Sequence, residues 1–179
     1  MTDYRVPASY PSPRAQGFEP VTDAQTRVLI LGSLPGEASL KAGQYYAHPR
    51  NAFWPLMAGL TGEDLPSLAY PERLARLKAH GIGLWDVLAS AERAGSLDAA
   101  IRSPEAADLV GLVASLPDLR AVAFNGALSA KTGRRILSGL EHLSLIDLPS
   151  SSPAHAIVLS AKAEKWAIVR DFLPAQPFD

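Results

Sequence analysis

"RVLILGSLPG" (27–36) decides the architecture. Four consecutive apolar residues, Val28 to Leu31, stand between Arg27 and Gly32 with no polar alternation. A short unbroken apolar run closed by a turn signal is the pattern of a strand buried on both faces, as in parallel sheets. Three later runs have the same character: "GIGLWDVL" (81–88), "LRAVAFN" (119–125) and "LSLIDLP" (143–149). Apolar residues recur at helical spacing in "NAFWPLMAGL" (51–60), "PERLARLKAH" (71–80), "EAADLVGLVASL" (105–116), "ALSAKTGRRILSGL" (127–140) and "SAKAEKWAIVRDFL" (160–173). Pro55 is expected near the first turn of its helix and Pro104 at or next to the start of the third, while Gly133 and Gly139 weaken or end parts of the fourth. The alternation predicts an α/β fold, a three-layer sandwich with a central four-stranded parallel sheet (27–32, 82–87, 119–124, 143–148) and helices on both faces. Residues 1–26 hold four of the fifteen prolines and no periodicity, so an extended N-terminal arm is expected there, followed by a single domain over 27–179.

The chain has 179 residues, 47% hydrophobic and 20% charged, which is a globular composition with enough length for a sizeable core. It contains no cysteine, so disulfides and thiolate zinc sites are excluded. None of its four histidines pair at helical spacing, and no metal site is expected. No apolar run reaches the length of a membrane span and no signal pattern opens the chain, so a cytoplasmic protein is the expectation, with a monomer as the base-rate state. Net charge is −1, so any nucleic-acid contact must draw on positive charge gathered on one face.

In open parallel sheets the site lies beyond the C-terminal strand ends. Here those ends are Gly32-Ser33-Leu34, Asp86, Asn125-Gly126 and Pro149-Ser150. The turn "GSLPG" (32–36) lets backbone approach a ligand closely, or is a plain connector; it lacks both the third glycine of a dinucleotide fingerprint and the Gly-Lys-Ser/Thr of a phosphate loop. "YYAHPRNAFW" (45–54) concentrates polar and aromatic side chains in ten residues. Asn51 either caps the helix that follows or serves the site, Phe53 and Trp54 are core anchors or a pocket wall, and Tyr45 and Tyr46 sit in a loop, where aromatics contact ligands. "LPSSSPAHA" (148–156) forms a rigid loop rich in donors, with His155 as a base, a phosphate contact or a surface residue. Asn125 either ties loops together or presents its amide edge to a base. Asp86 is a carboxylate inside an apolar strand, costly unless paired.

Taken together, "GSLPGEASL…GQYYAHPRNAFW", "GIGLWDVL", a strand-end "FNG" and "LPSSSPAHA" resemble the uracil-DNA glycosylase superfamily, and within it the hypoxanthine-DNA (deoxyinosine) glycosylase branch. The resemblance covers 27–173. Mismatch-specific uracil and thymine glycosylases place a catalytic asparagine in the first motif, where this chain has Leu34. An apolar side chain cannot orient water, and in the hypoxanthine branch the essential asparagine resembles Asn51.

The resemblance implies a monofunctional, cofactor-free glycosylase acting on double- or single-stranded DNA with a deaminated base. The base is extruded into a pocket. Asn51 positions the attacking water, Leu34, Tyr45, Tyr46, Phe53, Asn125 and Gly126 form the base pocket, and the base leaves as an anion. Gly32, Ser33, Pro35 and Gly36 of the first turn, Arg50, Lys131, and Ser150, Ser151, Ser152 and His155 of the late loop hold the DNA. Alternatives are a mismatch uracil/thymine-DNA glycosylase, a nucleoside or nucleotide hydrolase acting on free small molecules, and a catalytically silent module that binds damaged DNA.

Overall fold

The computed structural model describes residues 13–175. In chain order its elements are β1 (Arg14–Gln16), β2 (Val28–Gly32), α1 (Glu37–Ala42), α2 (Phe53–Thr61), α3 (Tyr70–Ala79), β3 (Ile82–Asp86), β4 (Leu88–Glu92), β5 (Arg102–Ala106), α4 (Leu109–Ala114), β6 (Ala121–Asn125), α5 (Ala127–Leu137), β7 (Ser144–Leu148) and α6 (Leu159–Trp166), with a 3₁₀ segment over Ala167–Phe172. The four expected strands form one parallel sheet in the order β3-β2-β6-β7. The central strand β2 is buried at every position, which is why it reads as an unbroken apolar run.

Alternate residues of the sheet serve two separate cores. Val28, Ile30, Ile82, Leu84 and Ala123 face a layer containing Phe53, Met57, Leu77 and Trp166. Leu29, Leu31, Val122 and Phe124 face the opposite layer with Leu109, Val113 and Leu137. Helices therefore cover both faces, and polar side chains are left to the strand ends. The register aligns those ends: Gly32 lies beside Asp86, and Asn125 beside Leu148.

A second sheet was not anticipated. It has three antiparallel strands in the order β1-β4-β5. Pro104 lies inside β5 rather than at the start of a helix. β5 is an exposed edge strand, where the missing N–H of proline costs little. The third helix starts later, at Leu109, because Asp108 caps it: its Oδ1 accepts the Gly111 N–H at 3.0 Å. The short α1 was also not expected. The described part of the N-terminal segment pairs with the domain through β1, and Val21 bridges Leu84; residues 1–12 of the expected arm lie outside the described residues. No helix among the described residues is long and apolar enough to cross a membrane.

Gly133 shows how closely α5 approaches the sheet. A Cβ there would overlap the Phe124 ring. Gly133→Ala should gain up to about 1 kcal/mol of helix propensity but cost about 1–3 kcal/mol in overpacking. The expected outcome is a lower urea midpoint at unchanged slope; a raised midpoint would mean that α5 can move off the sheet freely.

Candidate active site

A cleft of about 630 Å³ opens at the C-terminal ends of β2, β3 and β6. Its walls are the 32–36 turn with the start of α1, the 45–51 loop, the 150–155 loop, and residues 96–98 from the β4–β5 connection. Of the expected residues, the fold brings Gly32, Ser33, Leu34, Pro35, Gly36, Tyr45, Tyr46, Asn51, Asn125, Ser150, Ser151, Ser152 and His155 to this one cleft. Phe53 is fully buried behind it and stacks on Tyr46 at 3.8 Å between ring centroids. Gly126 stands outside the lining, packed against Ser150. Arg50 and Lys131 are exposed and lie off the cleft.

The two polar loops are tied to each other and to the sheet. Asn125 Nδ2 donates to Ser151 Oγ at 2.9 Å, and its Oδ1 accepts the Ser151 N–H at 2.8 Å. The loop-tying role therefore describes Asn125 directly, with one N–H and one lone pair left over. The Ala52 N–H donates to the Ser151 carbonyl at 2.9 Å, joining the Asn51 loop to the serine loop. Asn51 Oδ1 accepts the Phe53 N–H at 3.0 Å, so Asn51 also braces the start of α2, one residue outside the position expected for a cap. An amide oxygen has a second lone pair, which remains for a water.

Tyr45 is mainly structural. It is 4% exposed, its hydroxyl donates to the Glu19 carbonyl at 3.0 Å, and Phe18 packs on its ring edge. Burial raises its pKa, with a further contribution from Asp86. Tyr46 has φ of 55°, a left-handed backbone that non-glycine residues adopt at a cost. That bend turns its ring onto Phe53. The Tyr46 hydroxyl is buried without a hydrogen-bond partner among the described residues; it stands near the Asn125 amide but outside hydrogen-bond geometry. Ser33 Oγ donates to Asp98 Oδ1 at 2.6 Å, so this hydroxyl is committed to the β4–β5 connection.

Sequence reasoning singled out Asp86 without a role, and it missed His48, Glu37, Ser96, Leu97, Asp98 and Lys162. His48 sits in the quoted aromatic stretch and lines the cleft. Residues 96–98 arrive from a sheet whose strands carry no clear periodicity. Lys162 is 3% exposed and its Nζ donates to the Ser152 carbonyl at 3.0 Å, anchoring the serine loop from α6. Burial lowers its pKa.

Asp86 is not the paired structural carboxylate that its strand position suggests. It is 4% exposed, and its Oδ2 has no hydrogen-bond partner among the described residues. Burial pushes its pKa from 3.8 up to about 7; Arg93 opposes the rise and Asp98 adds to it. Among the described residues that line the cleft none is a lysine or arginine, whereas Glu37, Asp86 and Asp98 are present. Such a lining suits a neutral ring with hydrogen-bonding edges and disfavours a phosphate.

Residues 19–173 match the family model of the uracil DNA glycosylase superfamily. The chain belongs to that superfamily. It is 42% identical over 154 residues to a hypoxanthine DNA glycosylase of Methanosarcina barkeri, covering 86% of this chain and 96% of that one. A hypoxanthine DNA glycosylase of Methanosarcina acetivorans is 39% identical over the same shares. A solution NMR structure of a Methanosarcina acetivorans protein, proposed in its own description to be a uracil DNA glycosylase, superposes with a TM-score of 0.80 at 38% identity, covering 89% of this chain and 99% of that one. The expected superfamily and its α/β fold around a four-stranded parallel sheet are thus both found.

The raised pKa of Asp86 has a consequence for stability. The folded protein binds this proton more tightly than the unfolded chain, so the stabilisation is full below pH 4 and is lost as pH rises through about 7. Asp86→Asn keeps the shape and removes the ionisation. Between pH 5 and pH 8 the variant should gain about 1–3 kcal/mol on wild type in urea unfolding. Parallel curves for the two proteins over that range would show that the carboxyl group is not held neutral by burial.

Proposed function

We propose that this chain is a monofunctional DNA glycosylase of the hypoxanthine branch, hydrolysing the N-glycosidic bond of a deaminated base, hypoxanthine first, flipped from double- or single-stranded DNA. It would act as a cytoplasmic monomer in base excision repair. The observation that carries this reading is that Asn51 shares the cleft with Tyr46 and a lining that has no lysine or arginine among the described residues. A free nucleotide would need its phosphate neutralised inside such a cleft; a base on a DNA strand leaves its phosphates at the rim. The relatives named hypoxanthine DNA glycosylase, similar over most of their length, support the same substrate class.

In this reading the deaminated base leaves its weak pair at a cost of a few kcal/mol and enters the cleft beside Tyr46. The C1′–N9 bond breaks through an oxocarbenium-like sugar. Asn51 Oδ1 accepts a hydrogen bond from water and aims its oxygen at C1′; in so dissociative a reaction positioning matters more than deprotonation. Lys162 is the buried lysine nearest the serine loop, and its Nζ is engaged by Ser152 and lies off the cleft, which supports hydrolysis without a Schiff base. Ile157, Val158 and Leu159 are exposed directly after the serine loop, where apolar side chains can fill the stack left by the extruded base. Arg50 and Lys131 supply exposed positive charge for phosphates. Leu34 lines the cleft where the mismatch-specific relatives would carry their asparagine, so the water falls to Asn51.

The decisive assay is alkaline cleavage of a labelled duplex carrying one deoxyinosine: strand scission only after alkali is expected, and binding without product would instead support the silent module. Asn51→Ala should cost about 1 kcal/mol of stability through the lost brace on α2, and roughly a hundredfold or more in single-turnover rate. Asn51→Asp should fold like wild type. A wild-type rate for a folded Asn51→Ala protein removes Asn51 from the mechanism. Duplex binding should also weaken steeply between low and physiological salt despite the net charge of −1. A flat salt response would count against DNA as the substrate.

A further inference from the structure

Asn51 accounts for the water but not for the departure of the base. A purine expelled as an anion places charge on its imidazole ring, and the described residues of the cleft offer no lysine or arginine to receive it. What it offers is a pair of buried oxygens. In the register of β2 and β3, Asp86 lies beside Gly32. Because Gly32 has no side chain, Asp86 and Tyr46 share the space above it: a Cβ at that position would stand 2.5 Å from Asp86 Oδ1 and 3.1 Å from the Tyr46 hydroxyl. Asp86 Oδ2 and the Tyr46 hydroxyl are the two buried side-chain oxygens that lack a hydrogen-bond partner among the described residues, and both residues line the cleft. An unpartnered buried polar group costs about 1–3 kcal/mol. Both oxygens belong to residues that share the space over Gly32 and line one cleft, and this marks a surface completed by the polar edge of a ligand.

We propose that Asp86 is the proton donor to the leaving base: its neutral carboxyl group passes a proton to N7 of the flipped 6-oxopurine as the C1′–N9 bond breaks. This rests on the glycosylase reading above. N7 belongs to the same imidazole ring as the breaking bond, so a proton there draws the electron pair into the ring most directly. The pair from C1′–N9 stays with the purine, which leaves as neutral hypoxanthine. Hydroxyl from the water adds to C1′, and the second proton of that water returns through solvent to the Asp86 carboxylate. Tyr46 donates a hydrogen bond beside it and keeps its own proton, since burial and Asp86 both raise its pKa.

The groups around Asp86 fit a donor that is protonated near neutrality. Arg93, on the connection beyond β4, favours the carboxylate, but its guanidinium is held by the Leu34, Pro35 and Gly95 carbonyls. Asp98, on the same connection, favours the acid. Tyr45 and Tyr46 face Asp86 from the aromatic loop. His48, His155 and Glu37 line other walls of the cleft, so a pH profile has to be assigned by substitution.

Single-turnover release from a deoxyinosine duplex would be followed from pH 5 to pH 9 for wild type and Asp86→Asn. Wild type should hold a plateau at low pH and fall about tenfold per pH unit above the titration of the acid. Asp86→Asn should be slower by about a hundredfold or more at pH 6 and free of that falling limb, so that the two rates converge as pH rises. A merely structural role for Asp86 would give a constant ratio. That constant ratio, a wild-type rate in the variant, or a wild-type rate that climbs above pH 7 would each overturn the proposal. A second measurement needs no variant: on a duplex carrying 7-deazadeoxyinosine, which lacks the N7 acceptor, wild type should bind as before and lose the low-pH plateau. Release from that duplex with the same pH profile as deoxyinosine would also overturn it. If wild type releases no base from deoxyinosine, xanthosine or deoxyuridine duplexes, the glycosylase reading itself fails; if it releases hypoxanthine and only the Asp86 tests fail, the reading of the site survives without this acid.

Discussion

Strand β2, dry on both faces and paired in parallel on both edges, is the constraint on which the rest of the molecule depends. Its backbone is satisfied by its neighbours and its side chains by two separate apolar layers, so it has no room for polar groups along its length. Chemistry is displaced to the point where the pairing ends. Gly32 lies there, and its missing side chain is what lets Asp86 and Tyr46 meet over the strand end. A larger residue at 32 would fill the floor of the cleft.

Loops carry most of the polar groups that line the cleft, yet few of them are free to wander. Asn125 grips both the N–H and the hydroxyl of Ser151, Ser151 accepts the Ala52 N–H, and Lys162 holds the Ser152 carbonyl from the far helix. The effect is to fix the Asn51 loop against the serine loop through a single residue. Positioning of this kind is where a glycosylase gains its rate, since an oxocarbenium-like transition state asks more for geometry than for a strong base. Asn51 steadies α2 with the same oxygen that is proposed to hold water.

Asp86 shows the cost of such a site. A buried carboxyl group without a hydrogen-bond partner is unfavourable as the anion, and burial shifts its pKa up to about 7. Natural cores avoid this arrangement unless something outside the core benefits from it. The Arg93 guanidinium could have quenched Asp86 by direct pairing; instead it binds the carbonyls of the 34–35 turn and shapes that wall of the cleft.

By itself the sequence determined the parallel sheet, because a doubly buried strand leaves an unmistakable apolar run, and the set of loops beyond its ends, because glycine, proline, serine and asparagine cluster where backbone must turn. It also marked Asn51, Tyr46 and the serine loop, whose residue types have little use in a core. The antiparallel sheet escaped because β5 is an exposed edge with a proline in it and β1 is three residues long, so neither leaves a periodic signal. Only tertiary structure decided which polar residues face one another. Asn125 was legible as a strand-end amide, but its commitment to Ser151 depends on a pairing 26 residues away. Phe53 and Gly126 read like cleft residues but lie outside its lining, because Phe53 is drawn wholly into the core and Gly126 packs against Ser150. Asp86 was visible as an anomaly in an apolar strand; that it meets Tyr46 over Gly32, with its Oδ2 unpartnered among the described residues, follows from strand register and loop placement, which no single stretch of sequence contains.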